Sequence, residues 1–414
     1  MTSAVIVDAI RTPSGKGKPE GQLSGMKPDD MLSPVLRALT ERTGVDPALV
    51  DDVIGGCVNQ AAEQALNITR SAALGAGFRE AVPATTVGRQ CGSSQQAAHF
   101  AAQGVLAGAY DVVIACGAES MSRVPMGAAT LGKNAFGPAV GARYPEGLVN
   151  QGVSAELIAA RCKFGREELD EFPARSHARA AATAAAGGFD AEILPIDTAT
   201  GDETIRATTT AEGLTALKAS FYDGLLAARL PEIDWRITPG NSCPLTDTAS
   251  AVLIMSEEKA NALGLRPRAR FHSFAVTGGD PLLMLTGVIP ATRKPLDRAG
   301  LSIEDIDDYD VNQAFAPVPL VWQRELGAAP ERLNPRGGAI ALGHPLGLGY
   351  PPADHAPEPP RSHRRPLRPP DHVRRRRHGQ RHPDRTPLTE RLQESCHGTT
   401  SVHGRSRRVS GGRA

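Results

Sequence analysis

Apolar positions in the first 120 residues switch between two periods. Short β-branched runs at 5–9, 52–57, 84–87 and 112–115 predict strands, while i, i+3, i+4 spacing over 29–43, 63–76 and 93–107 predicts helices. The same alternation returns late in the chain. Strands are predicted at 251–255, 269–275 and 306–311, and helices at 291–300 and 316–326. Between 121 and 239 the strand signal fades into a Gly/Ala-rich region with one helical stretch, 154–186. This pattern predicts an α/β protein of stacked layers with mostly buried sheets, interrupted by an excursion before the core resumes at Asp247.

One internal echo supports a core of two similar halves. Asp51-Asp52-Val53-Ile54 precedes Val58-Asn59-Gln60-Ala61, and Asp307-Asp308-Tyr309-Asp310 precedes Val311-Asn312-Gln313-Ala314. Each acidic strand start leads to the same Val-Asn-Gln-Ala and then a helix.

A chain of 414 residues can bury a large core over two or three domains. No apolar run is long enough to cross a bilayer, and the N-terminus lacks the basic start of a signal peptide. Six cysteines lie scattered without ligand spacing, which points to a reduced, cytoplasmic setting and no metal. The formal charge of +1 hides a split. From Pro351 to Ala414 there are 15 Lys and Arg against 6 Asp and Glu, with 7 of the 11 histidines and 10 of the 33 prolines.

Two constellations carry chemistry. In Val87-Gly88-Arg89-Gln90-Cys91-Gly92-Ser93-Ser94 a cysteine falls between a predicted strand and a predicted helix. Backbone N–H groups and the helix dipole stabilise a thiolate there, and the adjacent glycine admits a substrate. The second is Asn334-Pro335-Arg336-Gly337-Gly338-Ala339-Ile340-Ala341-Leu342-Gly343-His344-Pro345-Leu346-Gly347, a glycine-rich loop around one histidine. A lone cysteine is usually a packing residue and a lone loop histidine usually solvated. Together they are the parts of an acyl-transfer site.

With these two motifs, Gly117-Ala118-Glu119-Ser120-Met121-Ser122 and Asn312-Gln313-Ala314-Phe315-Ala316, the chain resembles the thiolase family over about residues 4 to 347. The resemblance implies a five-layered αβαβα core of two similar halves with an inserted loop domain. It divides the chain into an N-terminal half (1–120 plus 240–268), a loop domain that contacts coenzyme A (121–239), a C-terminal half (269–347) and a tail (348–414). It also implies acetyl-CoA C-acetyltransferase or C-acyltransferase activity on acyl-CoA and CoA, no metal or redox cofactor, and a homodimer or homotetramer. Residue by residue, Cys91 matches the nucleophile, His344 its proton acceptor and Asn312 the holder of an oxyanion-hole water. Phe315 lies beside that pocket, while Lys218 and Cys243 fall in stretches that contact coenzyme A in relatives.

The sequence departs from the family pattern in places. Gly88 stands for asparagine, Gln313 for glutamate and Thr248 for glycine, and Cys243-Pro244 interrupts a small, polar stretch. After Gly347 the family's second catalytic cysteine is absent, so the C-terminal half reads as incomplete. The tail holds Arg374-Arg375-Arg376-Arg377 and a lone Cys396. A basic nucleic-acid arm and disordered chain are two readings of it. A third, which we favour, is out-of-frame translation. A one-base offset permits Arg-Tyr-Gly-Leu-Gln-Thr-Met-Cys across Pro366 to Val373, Val-Gly-Gly-Gly from Arg374, and a stop at Leu388-Thr389. On this reading two bases are missing after the Gly347 codon.

Three rivals stand beside a thiolase. A decarboxylating condensing enzyme shares the fold but pairs its cysteine with two histidines or a histidine and an asparagine. A non-catalytic acyl-CoA or lipid carrier would bind without a covalent step. A nucleic-acid-binding protein would act through the tail.

Overall fold

The computed structural model describes residues 2–345. Its centre is one seven-stranded sheet: β1 (Ala4–Arg11), β2 (Gly15–Lys16), β3 (Asp52–Gly56), β4 (Ala84–Val87), β5 (Val112–Ser120), β6 (Thr246–Ser256) and β7 (Ala269–Arg270). The order is β4-β3-β5-β6-β1-β7, with β2 beside β6. β4, β3 and β5 run parallel, whereas β6 pairs antiparallel with both β5 and β1. Every residue of β5 and β6 is buried, as expected of central strands covered on both faces.

Helices cover both sides. Helix Pro28–Thr43 buries Met31, Leu32, Val35, Leu36 and Leu39 at i, i+3, i+4 spacing, beginning at a proline and ending at Gly44 in the left-handed conformation. It packs with helix Ile68–Gly75 on one face of the sheet, forming a core with Val53, Ile114 and Leu253. Helix Ser93–Leu106 covers the other face, setting Ala97, Ala101 and Val105 against Ile54, Val113 and Ile254.

The excursion forms helices Gln151–Arg161 and Arg166–Ala185. Their apolar residues Val153, Leu157 and Leu169, with Phe164 between the two helices, share a core with Val318, Val321 and Trp322 of the second half. The predicted helices there appear as Val288–Ala299 and Pro317–Leu326. The predicted strands do not persist. The 269–275 run is limited to β7, and 306–311 keeps a single parallel bridge, Tyr309 to Leu333. A strand needs a ladder partner, and among the described residues only the Leu333 segment lies beside Tyr309. After β7 the described residues contain no further strand, so the sheet of the second half is not seen among them.

The tail from 348 and Cys396 lie outside the described residues. Among the described residues no helix is long and apolar enough to cross a membrane.

Candidate active site

β4 ends at Val87 and its following helix starts at Ser93, which places Cys91 in the connecting turn. The turn is held locally. Ser93 Oγ donates to Gln90 O at 2.6 Å and accepts from Arg89 N at 2.9 Å, while Gln90 sits at φ 45°. A non-glycine residue at positive φ is uncommon and marks a turn under constraint. The helix start can lie directly on the sheet because β3 and β5 carry glycines below it. A Cβ on Gly56 would meet Ser94 N at 2.3 Å, and one on Gly117 would meet Ser94 Oγ at 2.0 Å. The close approach therefore requires glycine at both positions.

Burial pushes the Cys91 thiol up to about 11, and the Glu119 carboxylate adds to the rise. The backbone N–H of Cys91 and a hydrogen bond from the Gln151 side chain act in the opposite direction. Glu119 is itself buried and saturated. It accepts from Val58 N at 2.8 Å, Asn59 N at 3.1 Å and Gln64 Nε2 at 2.9 Å, tying the 57–64 loop to β5.

The second half of the site hangs on the segment leading into β6. Burial, first, and the charge of Cys91, second, push the Cys243 thiol up. Cys243 N donates to Ala314 O at 3.0 Å, and Ser242 bridges Phe315. Further along this segment, Thr246 Oγ1 accepts from His344 N at 3.0 Å. Thus the Asn312–Phe315 segment and the histidine loop are both fastened to the stretch that carries Cys243.

His344 is buried, and burial alone lowers it to about 4, so its imidazole is neutral at pH 7. Asn312 Nδ2 lies 3.4 Å from His344 Nε2. Asn312 Oδ1 and His344 Nδ1 are buried with no hydrogen-bond partner among the described residues. Phe315 is buried and meets Phe221 edge-on, with ring centroids 5.8 Å apart. Lys218 is exposed, in the loop after helix Ala211–Thr215.

The departures from the family pattern find physical accounts in part. Gln313 Oε1 accepts from Ser176 Oγ at 2.8 Å and Ile340 N at 3.3 Å, so it braces the glycine loop. Thr248 Oγ1 lies 2.7 Å from Thr12 Oγ1 in the buried sheet. A Cβ on Gly88 would make ordinary contacts, 3.4 Å from Gln60 Nε2 and 3.7 Å from Cys57 O, so nothing in the packing requires glycine there. Sequence reasoning misses three contributors. Glu119 lies in a family motif that assigns it no role. Thr246 reads as an ordinary strand start. Gln151 carries no signal beyond its place after Asn150, a good helix N-cap residue.

Comparison with known proteins agrees with this architecture. The description "Thiolase, N-terminal domain" matches residues 4–258, and "Thiolase, C-terminal domain" matches 265–350. The steroid 3-ketoacyl-CoA thiolase FadA6 of Mycobacterium tuberculosis is 43% identical over 359 residues, covering 84% of this chain and 85% of that protein. A 3-ketoacyl-CoA thiolase of Pseudoalteromonas translucida is 42% identical over 360 residues, covering 84% and 89%. The crystal structure of the Bacillus anthracis acetyl-CoA acetyltransferase superposes with a TM-score of 0.73 at 35% identity, covering 84% of this chain and 89% of that one. The fold and these matches are those of an α/β acyltransferase. The chain belongs to the thiolase family.

Proposed function

We propose that Cys91 is the acyl-accepting nucleophile for an acyl-CoA thioester, with His344 as its proton acceptor. The observation that carries this is the place of Cys91 in the turn that starts helix Ser93–Leu106, with a buried imidazole on the other glycine-rich loop. Cys243, on whose thiol the charge of Cys91 acts, and Thr246, which holds His344, lie on one short segment. With the thiol raised and the imidazole lowered, the resting pair is neutral. The proton therefore leaves Cys91 for His344 Nε2 as sulfur attacks the thioester carbonyl, rather than from a standing ion pair. The carbon–sulfur bond to coenzyme A breaks, the coenzyme A thiolate takes a proton, and acyl-Cys91 remains. Asn312, whose buried oxygen has no partner among the described residues and whose amide lies beside His344, suits a polarised water at the developing oxyanion.

In the condensing direction a second base removes a proton from the α-carbon of acetyl-CoA. The resulting enolate attacks acyl-Cys91 and expels its thiolate. Thiolysis of a 3-ketoacyl-CoA is the reverse. Coenzyme A thioesters are the substrates, with no metal or redox cofactor, in a cytoplasmic homodimer or homotetramer. Phe315, Lys218 and Cys243 are substrate-binding residues, Phe315 beside the oxyanion pocket and the other two in stretches that contact coenzyme A. The loop domain is 121–239, between the N-terminal half (1–120 plus 240–268) and the C-terminal half (269–347). The second catalytic cysteine of the family is missing from the chain as it stands, so carbon–carbon bond formation is impaired while acylation of Cys91 survives.

Incubation with acetyl-CoA followed by peptide mass spectrometry tests the reading. An acetyl group on the Cys91 peptide, lost in Cys91→Ser, is expected. Binding of acetyl-CoA without that adduct would instead favour a carrier.

A further inference from the structure

The histidine loop lies on a helix of the excursion. In helix Arg166–Ala185, Ser176, Arg179 and Ala180 stand at i, i+3 and i+4 and so share one face. Each meets a different part of the 333–342 segment. Arg179 Nη1 donates to Leu333 O, and Ala180 packs in a small core with Ala341 and Leu342. Gly337, at φ 85°, lies so close to the helix that a Cβ would stand 2.8 Å from both Ser176 O and Ala180 Cβ.

Ser176 does more than hold that loop. Its buried Oγ accepts from Gly338 N at 3.2 Å and donates its one proton to Gln313 Oε1 at 2.8 Å. Gln313 Oε1 accepts in addition from Ile340 N at 3.3 Å. Gln313 directly follows Asn312, whereas Gly338 precedes the short helix Ala339–Leu342, which runs through Gly343 into His344. One hydroxyl therefore joins the segment of Asn312 to the loop of His344. A single helical turn passes this tie along, with Leu342 N bonded to Gly338 O at 2.9 Å and Gly343 N to Ala339 O at 3.0 Å.

The joint matters because Asn312 and His344 have only a loose contact of their own. Asn312 Nδ2 and His344 Nε2 lie 3.4 Å apart, longer than an ordinary hydrogen bond, so this contact does not set their spacing by itself.

We propose that Ser176 is a positioning residue for acyl transfer, which from the excursion helix sets the spacing of Asn312 and His344. This rests on the reading of His344 as proton acceptor to Cys91 and of Asn312 as holder of the oxyanion water. Ser176 acts through Gln313 and Gly338, so its effect falls on the rate of the acyl step and not on the binding of acetyl-CoA. A displacement of about 1 Å between reacting groups costs on the order of a hundredfold in rate. The excursion thus helps to shape the reacting centre, beyond any contact with coenzyme A.

The test is single-turnover acetylation of Cys91 by acetyl-CoA in the full chain, quenched at intervals and read by peptide mass spectrometry. Ser176→Ala removes both hydrogen bonds and keeps a good helix former. Its rate constant should fall roughly tenfold, with the half-saturating acetyl-CoA concentration unchanged. The amplitude of acetylation counts folded sites, so a merely structural role would lower the amplitude and leave the rate constant alone. Gln313→Met keeps the side-chain length, removes the acceptor, and carries the same test with the same expected result if Ser176→Ala does not fold by circular dichroism. A folded variant with the parent's rate constant overturns the proposal, as does a loss confined to amplitude or to the half-saturating concentration. If the parent chain takes no acetyl group on Cys91, the nucleophile reading itself falls. An acetylated parent with an unslowed variant sinks the Ser176 role alone.

Discussion

Thr246 Oγ1 accepts the His344 backbone N–H at 3.0 Å and donates to Pro244 O at 2.9 Å. One hydroxyl therefore links the imidazole loop to the turn that carries Cys243. Gly343, at φ 91°, permits the contact, since a Cβ there would stand 2.5 Å from Thr246 Oγ1. Thr246→Val preserves shape but leaves the buried His344 N–H unpaired, which costs about 1–3 kcal/mol. The variant should melt several degrees lower and acylate Cys91 more slowly, because the imidazole loses its anchor. Differential scanning calorimetry and single-turnover acylation check both effects. Unchanged values would show that the loop holds itself.

The glycine loop has a second brace in Gln313. Its amide oxygen accepts from Ser176 Oγ and Ile340 N, and Ser176 Oγ accepts from Gly338 N at 3.2 Å. A Cβ on Gly338 would meet the Gln313 amide at 2.4 Å. Gly338→Ala should therefore destabilise by overlap, and Gln313→Ala by leaving buried donors unpaired. Because the first change displaces the side chain that the second removes, the double variant should cost less than the sum. Urea unfolding of all four proteins measures the coupling, expected at about 1 kcal/mol or more. Simple additivity would place the strain elsewhere.

Two buried histidines set an acid limit on stability. His177 and His344 are each lowered by burial to about 4, and His177 Nε2 has no partner among the described residues. In the unfolded chain they protonate near 6.5, before the folded chain does. The unfolded state thus gains protons first as pH falls, and stability declines from about pH 6.5 to about pH 4, then levels off. Glu156 and Asp247, whose carboxyls burial raises, act in the opposite sense over part of that window. The discriminating measurement is consequently a difference. Melting temperature against pH should fall less steeply in His177→Gln than in the parent between about pH 6.5 and about pH 4. Parallel curves would mean that His177 titrates normally.

Much of the first half is legible because local and tertiary preferences agree there. The sequence pattern marks β4 to the residue at Ala84–Val87, and helix Ser93–Leu106 to within one residue, each with unambiguous periodicity. β5 and β6 extend beyond their predicted apolar runs, through Glu119 and Asp247, because paired neighbours hold polar residues in the ladder. Helix Gln151–Arg161 begins earlier than its apolar pattern predicts, since Asn150 caps it ahead of that pattern. The reverse failure occurs at 306–311, where composition asks for a strand and no ladder partner is present among the described residues beyond Leu333. At the site, Cys91 and His344 are visible through their glycine-rich surroundings. Gln151 and Thr246 are not. Thr246 meets the His344 N–H, and Gln151 starts its helix, only in the folded chain, and neither residue type marks this beforehand.

The last expectation concerns the gene. The family match ends at residue 350, close to where composition turns basic and proline-rich. If two bases are missing after the Gly347 codon, restoring them permits Cys-Val-Gly-Gly-Gly where Val373 to Arg377 now stand and a stop at Leu388-Thr389. The restored protein then gains the second thiol that protonates the departing enolate in thiolysis and removes the α-proton in condensation. We expect it to consume a 3-ketoacyl-CoA in the presence of coenzyme A at a rate roughly a hundredfold or more above that of the unrestored chain, a factor typical of one general acid–base group. Both proteins should still accept an acetyl group on Cys91. Resequencing decides whether the bases are absent from the natural gene, and the paired assay decides whether their return completes the reaction. A natural gene without the offset, encoding a chain that already performs thiolysis, would refute the reading and require a second base elsewhere in the chain as it stands.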